Sequence, residues 1–215
     1  YRNNPKQYED KRMKVIGITG GIGSGKSLVL QLLHEEYHAW VLEADKAAHQ
    51  LMEPGQPAYI RIAEAFPKEI LDETGRIQRE KLSALVFSNP ESLTTLNQIV
   101  HPEVKRYIKN QIEEKRKEAQ ITFFVIEAAL LIEDGYREIC DELWYIHASR
   151  EVRIERLMKS RGYSLEKCQS IMSQQSEDAF YTEHCDHIIE NGASVDKTRK
   201  QLEELLKNVT LYDRI

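Results

Sequence analysis

No uninterrupted hydrophobic run in this sequence approaches the roughly 20 residues that a helical membrane span needs. The first residues also lack the apolar core of a secretory leader. Cysteine is scarce: Cys140, Cys168 and Cys185 are odd in number and far apart. That pattern argues against a disulfide framework and points to reduced thiols in a cytoplasmic setting. Neither sign of charge dominates, with Lys+Arg 30 against Asp+Glu 35. A general polyanion binder is therefore not expected, a nucleic-acid partner is not indicated, and any anion site must be local. Internal repeats and low-complexity linkers are missing too, so the 215 residues read as one enzyme-sized unit with a substantial core. Residues 1–12 are polar and aperiodic and read as a tail outside the fold. Oligomeric state has no handle in the sequence.

What the sequence does contain is Gly20-Gly21-Ile22-Gly23-Ser24-Gly25-Lys26-Ser27, directly after the strand-like run Lys14 to Thr19. Gly, four residues, Gly, Lys and Ser/Thr is the pattern of a phosphate-binding loop. Its backbone N–H groups turn inward at phosphate oxygens, Lys26 supplies charge to the β- and γ-phosphates, and the Ser27 hydroxyl can ligate Mg²⁺. The N-terminal dipole of a following helix adds to the same site.

Further strand signals occur at residues 39–42, 121–126, 142–148 and 187–189, separated by segments of helical period. Leu93, Leu96, Val100, Val104, Ile108 and Ile112 predict one amphipathic helix, or two joined near Pro102. Strands alternating with helices imply right-handed crossovers, hence an α/β fold with a mostly parallel five-stranded sheet flanked by helices. The span from Asp45 to Gln120 exceeds one crossover and predicts an inserted substrate-binding region.

A phosphate loop serves kinases, GTPases, motors and passive binders alike. The Asn-Lys-x-Asp with which GTPases read guanine is missing, and so short a chain leaves little room for motor coupling. A small kinase needs an acid near the acceptor hydroxyl and cations around the moving phosphoryl group. Glu43 and Asp45 end the second strand signal, where strand alternation would aim both at the loop. Asp45 equally suits an N-cap. Arg153 and Arg156 share a helical face, either solvated or part of a lid.

The ordered set IGITGGIGSGKS (16–27), Glu43-Ala44-Asp45, Glu53 to Tyr59, Arg79 with Leu82, His101-Pro102, Leu130 to Glu133, Arg156 and Cys185 to Gly192 resembles the dephospho-coenzyme A kinase family across nearly all of residues 13–207. The resemblance implies a P-loop kinase fold, ATP and Mg²⁺ as cofactors, and 3′-dephospho-coenzyme A as small-molecule substrate, phosphorylated on its ribose 3′-hydroxyl. It implies a core (13–45, 119–150 and 185–215), a helical coenzyme A-binding insert (46–118) and a lid (151–184). By position, Asp45 would take or orient the hydroxyl proton and Arg156 would be the lid arginine that stabilises the transferred charge. Thr19 and Lys26 complete the catalytic set. Gly21, Ile22, Gly23, Ser24, Gly25, Lys26, Ser27 and Leu28 would hold the nucleotide, with Asn191 in the adenine-side loop. Glu43, Arg79, His101, Leu130 and Arg161 are the candidate substrate-binding residues.

The chain departs from the family pattern at several points. Glu43 stands for Asp, Leu28 for Thr, Ala129 for Pro and Pro67 for Gly, while Ser160-Arg161 replaces an Arg-Asp pair. Glu127 could hold a water of Mg²⁺. His184, Cys185 and His187 are metal-ligand types without an evident fourth partner; His101 suits helix packing as well as substrate contact; Trp40 and Trp144 read as core. The alternatives to the leading reading are a nucleoside or nucleoside-monophosphate kinase and a non-catalytic ATP-dependent regulator.

Overall fold

The computed structural model describes residues 13–118 and 120–212, so the expected tail at 1–12 lies outside the described residues. Five strands form one sheet: β1 (Lys14–Thr19), β2 (Trp40–Glu43), β3 (Phe123–Glu127), β4 (Glu142–His147) and β5 (His187–Glu190), in the order β2-β3-β1-β4-β5. Each lies within two residues of its predicted place. Every pairing is parallel, so the sheet is wholly rather than mostly parallel.

Strand alternation sorts the apolar runs onto two faces. Val15, Phe124 and Ile126 face a cluster that extends into the insert. Ile16, Ile18, Val125, Ile146 and Ile189 face the other cluster, which includes Leu33 of α1 (Lys26–Tyr37) and Leu202 and Leu206 of α9 (Val195–Tyr212).

Between β2 and β3 the chain builds α2 (Ala44–Leu51), α3 (Pro57–Ala65), α4 (Arg79–Ser88) and α5 (Pro90–Arg116). Asn89 starts α5 by accepting the N–H groups of Glu91 and Ser92, with Pro90 in the first turn where its missing N–H is harmless. Pro102 lies inside this one continuous helix. The buried stripe steps across it from Ile99 to Val104 and then to Ile108 and Ile112, whereas Leu93 of the predicted stripe is exposed. Ile62, Leu82, Ile99 and Ile108 belong to the same core as the sheet, each burial worth about 2 kcal/mol. The insert is thus fastened to the sheet rather than hung from it.

Trp144 is buried, as expected, but Trp40 is 39% exposed. It opens the edge strand β2, and the Lys115 ammonium covers its ring at 3.7 Å from the centroid. Between β4 and β5 lie α6 (Arg150–Arg161), α7 (Leu165–Met172) and α8 (Asp178–His184). Ser149 and Ser164 cap α6 and α7, and Gly162 ends α6 in the left-handed region. Among the described residues no helix is long and apolar enough to cross a membrane.

Candidate active site

The phosphate loop joins the carboxyl end of β1 to the first turn of α1, beside the carboxyl ends of β3 and β4. Ligands of open parallel sheets bind at that edge. Gly21, Ile22, Gly23, Gly25, Lys26 and Ser27 line a cavity of about 450 Å³. Ser24 is buried, and its hydroxyl finds no partner among the described residues. Leu28 packs against the apolar cluster on the α1 side of the sheet and is not among the residues lining this cavity. Its side chain adds to the core.

Two carboxylates close the floor. Glu43 and Glu127 are register partners on β2 and β3, and both line the cavity. Lys26 Nζ donates to the Gly20 carbonyl at 2.8 Å and stands 3.7 Å from Glu127 Oε1. Burial pushes the Lys26 ammonium below its ordinary pKa against the opposing pull of Glu127. Burial likewise pushes the Glu127 carboxyl up, Lys26 pulls it down, and the negative charges of Asp45 and Glu43 push it further up. Glu43 also pairs with Lys46 at 2.6 Å.

Asp45 is neither on a strand nor an N-cap. Helix α2 begins at Ala44, with Glu43 at the cap position, so Asp45 occupies the first turn and strand alternation does not aim it. It opens instead into an adjoining cavity of about 170 Å³, shared with His101, Ala128, Ala129, Leu130 and Asp134. His101 Nδ1 lies 3.1 Å from Asp134 Oδ1, and Lys105 donates to the Asp134 carbonyl. The predicted Asp45, His101 and Leu130 therefore meet in one place. Thr19 is fully buried beside it, its hydroxyl donating to the Ala129 carbonyl at 3.5 Å, so it supports the cavity wall. Arg79 falls elsewhere: with His49, Glu53 and Arg76 it lines a third cavity of about 320 Å³ and lies 3.9 Å from Glu53.

Helix α6 supplies cations to the loop. Arg156 lines the phosphate-loop cavity, and its guanidinium donates to the carbonyls of Gly23 (3.3 Å), Ser24 (3.0 Å) and Asn191 (2.6 Å). Arg153 Nε donates to the Ile22 carbonyl at 2.9 Å, while Gln175 accepts the Ile22 N–H at 3.1 Å and an Arg153 N–H at 2.5 Å. The solvated-face reading of these arginines is thereby overturned. Arg161 and Ser160 line the phosphate-loop cavity, which places Arg161 away from the cavity of Asp45, His101 and Leu130. Gln175 escaped sequence reasoning because it meets the loop only through the packing of α6 and α7.

Asn191, expected in the adenine-side loop, lies against the phosphate loop. Its side chain is buried behind the phosphate loop, donating to the carbonyls of Ser24 (2.8 Å) and Gly25 (3.2 Å). The His184, Cys185 and His187 set dissolves as well. His184 bonds the Phe180 carbonyl, His187 faces Glu142, and no group of three or more metal-ligating side chains gathers among the described residues.

The model of the family described as dephospho-CoA kinase matches residues 14–197. A dephospho-CoA kinase of Bacillus licheniformis is 40% identical over 193 residues, covering 89% of this chain and 94% of the relative. One of Carboxydothermus hydrogenoformans is 36% identical over 195 residues, covering 91% and 94%. The crystal structure of a Thermus thermophilus protein superposes with a TM-score of 0.74 at 29% identity, over 92% of this chain and 98% of that one.

Proposed function

The chain belongs to the dephospho-CoA kinase family, and from that membership we propose how its residues divide the work of moving the γ-phosphoryl group of ATP to the ribose 3′-hydroxyl of 3′-dephospho-CoA. The products are CoA and ADP, the last step of CoA synthesis. One observation supports this division above the others. Both β2 and β3 feed two adjoining cavities from their carboxyl ends, Glu43 and Glu127 into the phosphate-loop cavity and Asp45 with Ala128 to Leu130 into the next. A donor and an acceptor held in those two spaces meet over the sheet edge, the arrangement that in-line transfer requires.

In this reading Asp45 accepts the 3′-hydroxyl proton as the oxygen attacks, and the bond to the ADP oxygen breaks. Lys26 and the loop N–H groups bind the phosphates, and Arg156 holds the loop in shape while facing the cavity. Ser27, Glu43 and Glu127 offer the hard oxygen donors that suit Mg²⁺, which when bound neutralises charge across the β- and γ-phosphates. His101, oriented by Asp134, and Leu130 contact the acceptor. Asp45, Ala48 and His49 of α2 and Met52 at its C-cap lie three and four residues apart, leading from the Asp45 cavity to that of Arg76 and Arg79. The acceptor's diphosphate follows that face to the arginines.

The test is incubation with Mg²⁺-ATP and dephospho-CoA, adenosine or AMP in parallel, with products identified by mass. Dephospho-CoA should be the preferred acceptor. Preference for AMP or adenosine would replace this reading with a nucleotide or nucleoside kinase, and ATP binding without transfer to any acceptor would make the chain a regulator.

A further inference from the structure

Behind the phosphate loop lies a buried polar network that the reaction does not consume. Asn191 follows β5 and is 1% exposed, and Thr198 on the first turns of α9 is fully buried. The Asn191 backbone N–H donates to the His147 carbonyl at 2.7 Å, which ties the residue to the end of β4. Its side-chain oxygen accepts the Thr198 hydroxyl at 2.8 Å, while its nitrogen donates to the Ser24 and Gly25 carbonyls. Arg156 donates to the Ser24 carbonyl from α6 and to the Asn191 carbonyl.

We propose that Asn191, oriented by Thr198, is a positioning residue that sets the direction of the loop's phosphate-binding N–H groups. Across a planar trans peptide the C=O and N–H point in opposite directions. Pinning the Ser24 carbonyl backward turns the Gly25 N–H forward, and pinning the Gly25 carbonyl does the same for Lys26. Hydrogen bonds donated to those carbonyls also polarise the peptides, which strengthens the N–H groups as anion donors. The amide can serve only one way round. Flipped, its oxygen would face two carbonyl oxygens, and the Thr198 hydroxyl satisfies the oxygen that remains. Gly25 belongs to the same device, because a Cβ there would collide with the Asn191 amide and its φ of 88° is left-handed. The glycine is required at the back of the loop as well as at the phosphate side.

The proposal rests on the reading that this loop binds phosphates, and its test separates the two. The full chain and its Asn191→Asp, Asn191→Ala, Thr198→Val and Thr198→Ser variants are titrated calorimetrically with Mg²⁺-ATP and with inorganic tripolyphosphate, which has no adenine. Melting temperatures are recorded alongside. The Asn191 variants should weaken both ligands by the same factor, roughly tenfold or more when two orienting hydrogen bonds go. Thr198→Val should do so by less, and Thr198→Ser should retain wild-type affinity. Lost ATP affinity with unchanged tripolyphosphate affinity would make Asn191 an adenine contact and overturn the proposal. Unchanged affinity for both, with only the melting temperature lowered, would reduce it to a structural residue. If the Asn191 variants do not fold, the Thr198 pair decides between the same outcomes. A wild-type chain that binds neither ligand would remove the functional reading itself.

Discussion

The two adjoining cavities above the sheet edge are built by opposite means. Around the phosphate loop the contacts join residues distant in sequence, as when Arg156 on α6 and Asn191 after β5 both grip carbonyls of residues 23–25. The groups involved are backbone atoms and buried side chains. Around Asp45 the walls are α2 and α5 of the insert facing the segment that follows β3, the charges are partly solvated, and the pairings are ordinary ion pairs such as His101 with Asp134. A loop that must present backbone N–H groups needs its shape imposed from outside, since those groups cannot be tuned by substitution. A surface that must take a long, flexible acceptor needs only charges of the right sign at the right spacing. Variants on the two sides should therefore fail differently.

The largest effect is expected at Asp45. Asp45→Asn keeps size and shape but cannot take the hydroxyl proton, so turnover should fall by about 10²- to 10⁴-fold with ATP affinity unchanged, because the residue lines the adjoining cavity and not that of the phosphate loop. Steady-state kinetics with parallel ATP titration checks both halves. Near-normal turnover would remove Asp45 as base, and a matching loss of ATP affinity would erase the division between the cavities.

Arg156→Ala attacks the other side. Three carbonyls lose a charged donor, so ATP affinity should drop by about 10- to 100-fold together with turnover. Turnover lost at unchanged affinity would instead show that the guanidinium acts on the transferred phosphoryl group. A smaller change is expected from Arg79→Ala, whose side chain is exposed and only loosely paired with Glu53. The KM for dephospho-CoA should rise about three- to tenfold, while adenosine, which lacks the diphosphate, should be phosphorylated as before. Equal losses for both acceptors would take Arg79 away from the diphosphate.

How much of this could be read in the sequence follows the same divide between local and assembled features. The glycine spacing, the Lys and Ser at the loop's end and the five apolar strands obey rules that span a few residues, and all were legible. Asp45 was identified through the family pattern, while the strand geometry first offered for it was wrong because the chain turns helical at Ala44. Trp40 read as core because a strand signal does not say whether the strand is an edge. Gln175, Thr198 and the true place of Asn191 were hidden for a different reason. Each acts on the loop across more than 150 residues of sequence or through a partner that does, and only the assembled sheet brings them within reach. Glu127 was legible as an acid at a strand end, but its pairing with Lys26 required the parallel register of β1 and β3.

That pairing gives the smallest and most selective prediction. Burial raises the Glu127 carboxyl's pKa above its ordinary value and lowers that of the Lys26 ammonium, so this part of the site is held together at an electrostatic cost. For a carboxyl whose folded pKa is raised, folding favours the protonated form. Its stabilising contribution is complete below the ordinary carboxylate value and is lost as pH rises through the folded one. Glu127→Gln removes that titration while keeping the shape. As pH rises from below the ordinary carboxylate value through the raised one, the wild type should therefore lose stability relative to Glu127→Gln, as measured by urea denaturation of both chains across the range. A difference between wild type and Glu127→Gln that stayed flat with pH would mean that water reaches the floor of the phosphate-loop cavity as freely as it reaches the acceptor side. The contrast between a buried, imposed geometry and a solvated, charge-lined one would then fail at its electrostatic root.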